Sequence, residues 1–183
     1  LYTIGIQPDG RVLAATHMYY PTVHHNLVSL RRLLPNGQVD STFGKDGKVD
    51  APLGDFWFQT VYAIETLADG RIVVAGIGQF YEPVIQQLVI AQFLPNGDRD
   101  MTFGNQGKTG IAFPLGDLEF NTLIIQADRK LLFGGSYLTG GERNIQLSRF
   151  LPDGKLEFGF GNGGLVITDL GFGNDYIHQL LEY

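Results

Sequence analysis

Three acidic side chains recur at one place in the sequence. Asp40, Asp100 and Glu157 each stand three residues before a Phe-Gly pair, at Phe43-Gly44, Phe103-Gly104 and Phe160-Gly161. Two more, Asp55 and Asp117, each follow a Leu-Gly. Acids repeated at fixed offsets can ring a central channel, as general acid and base would, or offer oxygens to calcium. Calcium loops need several converging ligands, as in D-x-[DN]-x-[DN]-G, and no such run occurs. An Asp just ahead of a Phe-Gly turn fits a side chain that satisfies turn amides, so no metal is expected.

The remaining reactive residues give no recognised constellation. His17, His24 and His25 fall in one stretch read as an inter-strand loop, 16–26, without H-E-x-x-H spacing, and the corresponding stretches 76–87 and 135–144 hold no histidine. The fourth, His178, lies near the end of the sequence. Thr102 to Thr109 (TFGNQGKT) approaches a phosphate-binding loop, but Thr102 stands where the first Gly is needed and no helical pattern follows. Ser136 follows Gly134-Gly135, yet Leu138 occupies the Gly position of a nucleophile elbow. No catalytic residue and no cofactor are expected.

Aromatic residues offer a different chemistry, stacking against a sugar or a protein surface beside hydrogen-bonding amides. Tyr19, Tyr20, Phe80, Tyr81 and Tyr137 occupy roughly corresponding segments, and Trp57 lies with Phe56 and Phe58 in a different connection. Tyr19, Tyr20, Trp57, Phe80, Tyr81 and Tyr137 are therefore the candidate ligand-binding set. The competing reading makes such rings wedges in the core.

What must position these residues is a repeat. Leu34-Pro35-Asn36-Gly37 recurs as Leu94-Pro95-Asn96-Gly97 and Leu151-Pro152-Asp153-Gly154, 60 and 57 residues apart. Asp9-Gly10-Arg11 matches Asp69-Gly70-Arg71, and the third copy reads Asp128-Arg129-Lys130. The copies run 2–61, 62–120 and 121–175, with a partial fourth at 176–183.

Val28, Leu88 and Ile145 are apolar, as are Leu30, Ile90 and Leu147, while the residues between them vary in polarity. That period of two reads as strand. Asp-Gly and Asn-Gly pairs between such runs predict type I′ hairpins. Each repeat then holds about four antiparallel strands, two of them separated by a longer loop, which is the content of a β-propeller blade. A β-sandwich would not demand the repetition. The fold class is all-β, a β-propeller segment spanning 1–183.

These blocks, D-G-R-[IV] at Asp9 and Asp69 and L-P-[ND]-G-x-x-[DE]-x-x-F-G at Leu34, Leu94 and Leu151, resemble the bacterial delta-60 repeat. The third copy departs at Arg129, Glu157 and Leu165. The resemblance implies a β-propeller of unassigned function in a secreted or cell-surface setting, and it supplies no catalytic residues.

Composition narrows the functional classes. The 183 residues carry 25 glycines, no cysteine and a net charge of −6, which excludes disulfides and thiolate metal sites and argues against nucleic acid as partner. No apolar run approaches a membrane span. The chain opens on Leu1, as a processed product or a piece of something longer would. Closed propellers need roughly four to eight blades, so the missing blades are expected from a longer chain or from another subunit. The function expected is a non-enzymatic binding or structural module, meeting a protein or carbohydrate partner through variable inter-strand loops. The alternative is a propeller hydrolase or lyase with acids converging on a central pocket.

Overall fold

The computed structural model describes residues 3–20, 25–54, 56, 58–80, 85–114, 118–171 and 173–181. Its twelve strands form three four-stranded antiparallel sheets, each a meander in chain order. Blade 1 holds β1 (Thr3–Ile6), β2 (Val12–Tyr20), β3 (His25–Leu33) and β4 (Lys48–Asp50). Blade 2 holds β5 (Phe58–Thr66), β6 (Ile72–Phe80), β7 (Ile85–Phe93) and β8 (Lys108–Pro114). Blade 3 holds β9 (Leu118–Ile125), β10 (Leu131–Thr139), β11 (Glu142–Phe150) and β12 (Leu165–Thr168). No helix among the described residues is long and apolar enough to cross a membrane.

Face burial explains the strand compositions. Blade 2 is covered on both sides, so β6 (IVVAGIGQF) is apolar almost throughout and buried over its first seven positions. In β11 (ERNIQLSRF) burial alternates residue by residue. One core cluster joins blades 1 and 2 through Leu30, Phe43, Ile64 and Phe93. A second joins blades 2 and 3 through Ile90, Phe103, Leu123 and Phe133. Phe133 stands edge-on to both Phe120 and Phe150.

Two local expectations are corrected. The Asp-Gly and Asn-Gly hairpins are not type I′, which needs positive φ at both central residues. In the first, the Gly10 N–H donates to Gln7 O at 2.9 Å and the Gln7 N–H to Arg11 O at 2.8 Å, and of these turn residues Gly10 alone has positive φ, 82°. That is a type I turn followed by a left-handed residue, a three-residue connection. Leu34 to Gly37 repeats it, with Pro35 where a type I turn favours proline.

The longer loops of the sequence reading are mostly strand. β2 and β3 pair from Val12↔Leu33 to Tyr20↔His25, β6 and β7 from Ile72↔Phe93 to Phe80↔Ile85, and β10 and β11 turn tightly at Gly140-Gly141. Repeat boundaries also fall inside β5 and β9, because those strands begin before a bulge at Val61/Ala63 and near Gly134/Gly135.

Candidate functional site

The hairpin at Leu34 to Gly37 turns the chain back beside β3, so that the Asp40 N–H donates to Arg32 O at 3.0 Å. Asp40 is then enclosed. Its Oδ1 accepts from the Thr42 hydroxyl at 2.6 Å and the Thr42 amide at 3.1 Å. Its Oδ2 accepts from Arg32 Nε at 2.8 Å and Arg11 Nε at 2.9 Å. The Thr42 hydroxyl, the Thr42 amide and Arg32 outweigh burial and hold the carboxyl down at about 2. The Arg32 guanidinium also lies 4.5 Å above the Phe43 ring.

Blades 2 and 3 vary the same arrangement. Asp100 accepts from the Thr102 hydroxyl at 2.6 Å and amide at 3.1 Å, but neutral Gln92 replaces the first arginine and Arg71 Nη1 stands off at 3.6 Å. Glu157 accepts from Arg149 Nε and lies 3.2 Å from Lys130 Nζ. Burial pushes the Glu157 carboxyl up, and these two cations bring it below its ordinary value. Each acid is thus engaged by cations of its own blade, within its own turn. Asp55 and Asp117 lie outside the described residues.

The other reactive residues are dispersed. His17 belongs to β2, opposite Val28, and His25 opens β3, so the proposed histidine loop is largely hairpin strand; His24 lies outside the described residues. Ser136 is buried in β10. Lys108 and Thr109 begin β8, where a phosphate loop would need a helix.

The candidate aromatics lie at strand ends rather than in long loops. Tyr19 and Tyr20 end β2, opposite Asn26 and His25, and Phe80 ends β6 at the position corresponding to Tyr20. Tyr137, in β10, sets its half-buried ring 5.4 Å from Phe113 of blade 2 and so bridges two blades. Trp57 and Tyr81 lie outside the described residues. Phe80 is 39% exposed, with its ring centroid 4.8 Å from that of buried Phe56.

These two rings head a groove of about 620 Å³. Gln87 of β7, Asn105, Lys108 at the start of β8, and Asp153 of the blade 3 hairpin also line it. Gln59 positions its aromatic end, accepting from the Leu53 N–H at 2.9 Å and donating to Gly54 O at 2.8 Å. Phe56, Gln87, Asn105 and Lys108 were not among the candidates. Phe56 left a signal in the aromatic trio after Leu53-Gly54, and Asn105 and Lys108 lie in the TFGNQGKT segment weighed as a phosphate loop; Gln87 left none. The groove offers a flat apolar face, side-chain amides, two cations in Lys108 and Lys155, and the Asp153 carboxylate.

No curated protein and no solved structure matches the chain. A family model does, in three segments: residues 7–43, 67–103 and 126–160. Each segment opens at the hairpin between the first two strands of a blade and closes on the phenylalanine after the recurrent acid, so the match follows the hairpins and the enclosed acids described above. The chain accordingly belongs to the family described as domain of unknown function (DUF5122) beta-propeller.

Proposed function

We propose that this chain is a non-enzymatic binding module that holds an extended glycan in the groove running from Phe80 to Asp153. The observation that carries the reading is the exposed Phe80 ring, braced by Phe56 and sharing one groove with Gln87, Asn105 and Lys108. An aromatic face beside amides suits a ring with one apolar face and many hydroxyls. The resemblance to delta-60 repeats of secreted and surface proteins supports an extracellular setting, where such polymers are met.

A hydrolase or lyase would need acids free to exchange protons with a substrate. Asp40 and Glu157 are instead held as carboxylates by their own cations, which supports binding over catalysis. A glycan array probed with wild type, Phe80→Ala and Gln87→Ala tests the reading. Binding should fall about tenfold for Phe80→Ala, consistent with losing one aromatic contact. Two variants with the wild-type profile, or a ligand found only on a protein array, would sink it.

A further inference from the structure

In blade 1 the strand after the Phe-Gly turn reads Lys48-Val49-Asp50, and residues two apart on a strand share a face. Lys48 Nζ accordingly meets Asp50 Oδ1 at 2.8 Å. Blade 2 keeps the lysine and loses the acid. Lys108 stands opposite Ala91 as Lys48 stands opposite Arg31, and Gly110 takes the place of Asp50. A Cβ on Gly110 would lie 2.1 Å from Leu88 O, so the close backbone approach bars a carboxylate side chain at that position. Lys108 and Gly110 both line the groove headed by Phe80, and among the described residues no carboxylate pairs with Lys108. Blade 3 has Leu165 here and no cation.

The other charges of the groove do not cancel this one. Asp153 already serves Lys155, its Oδ1 accepting from the Lys155 N–H at 3.0 Å and its Oδ2 from Nζ at 2.7 Å. A second cation stands behind the connection that builds the aromatic end. Arg99 Nη2 donates at 2.6 Å to the carbonyl of Pro52, the residue before Leu53 of the groove lining, and the guanidinium lies 4.7 Å over the Phe93 ring. Arg99 Nη1 is buried with no acceptor among the described residues, and burial draws the Arg99 pKa below its ordinary value. Val39 and Leu156 occupy the corresponding positions, so this cation too is peculiar to blade 2. In a chain of net charge −6, the groove thus carries a local excess of positive charge, from Lys108 directly and from Arg99 at its border.

Resting on the glycan reading of this groove, we infer that its ligand is an acidic glycan, which stacks a sugar ring on Phe80 and sets a carboxylate or sulfate against Lys108 Nζ. The amides of Gln87 and Asn105 serve the hydroxyls of either an acidic or a neutral sugar, so they do not discriminate between the two. Lys108 does, as a point charge with three donors that suits both kinds of anion. A half-exposed ion pair adds selectivity more than affinity, and Phe80 supplies the contact common to all ligands.

An array that pairs uronate and sulfated oligosaccharides with neutral counterparts on the same backbones, probed with the full chain, tests this. Wild type should bind acidic members about fivefold more tightly at low salt, the upper range for one exposed ion pair. That advantage should fade in about 1 M salt. Whether the uronate or the sulfated series gains tells carboxylate from sulfate. Lys108→Gln should lose the advantage and keep the neutral binding, whereas Lys48→Gln, which removes the paired lysine of blade 1, should keep both. An advantage that survives Lys108→Gln, or that Lys48→Gln abolishes equally, overturns the proposal. Equal binding of acidic and neutral members, still weakened by Phe80→Ala, overturns it and leaves the glycan reading standing. Binding to no member, or to single-stranded DNA alone, takes down both.

Discussion

Arg32 Nε meets Asp40 Oδ2 at 2.8 Å with side-chain exposures of 8% and 3%, which encloses an ion pair within one blade turn. Removing one member of such a pair leaves the other buried and uncompensated. Asp40→Ala should therefore cost about 3–5 kcal/mol. Asp100→Ala should cost less, because a neutral Gln92 and a more distant Arg71 face that carboxylate. Urea unfolding of both variants measures the difference, and equal losses would show that the guanidinium is not its cause.

Acid should weaken the same turn. The Asp40 carboxyl lies at about 2 in the folded chain, below its ordinary 3.8. A depressed folded value means that its contribution is complete above 3.8 and fades as the pH falls from there toward 2. Glu157 acts in the same direction. The melting temperature of wild type should drop across this window, and that of Asp40→Asn should start lower and drop less.

Arg129 takes φ 65° at the turn position where Gly10 and Gly70 take 82° and 84°. A side chain there strains the backbone, so Arg129→Gly should stabilise by up to about 1 kcal/mol, reduced by the greater freedom of glycine in the unfolded chain. The shift in denaturation midpoint checks the sign.

Of the three blades only blade 2, with Gln92 and Phe103, lacks an arginine stacked on the phenylalanine of its Phe-Gly pair. Gln92→Arg would set a guanidinium against Phe103 and Asp100, as Arg32 is set against Phe43 and Asp40. A gain of about 1 kcal/mol is expected. A loss, read by the same denaturation, would mean that the second junction cannot accommodate the larger side chain.

The repeat made the blades legible, because hairpin residues and period-two apolar positions recur often enough to fix the strand count. It also separated β3 from the helix that Asn26 to Leu34 would allow in isolation. The turn type was not legible, since Asp-Gly serves both a two-residue connection and a three-residue one, and only the hydrogen bond from Gln7 to Arg11 decides between them. Phe80 and Tyr20 looked like loop residues because glycines and polar residues interrupt the apolar period near them, although backbone pairing continues to Ile85 and His25. The groove was hidden for another reason. Its residues come from a connection, three strands, the turn before β8 and the next blade's hairpin, and no sequence period links Phe56 to Asp153.

The meander order has a consequence for how the chain acquires its shape. Every strand hydrogen-bonds to its immediate neighbour in the sequence, so each blade assembles from contiguous residues without waiting for a distant segment. During synthesis blade 1 can form as soon as it emerges, and blade 2 can then condense on Phe43 and Arg32 already in place. Folding then proceeds as directional growth, in which each finished blade is the template for the next.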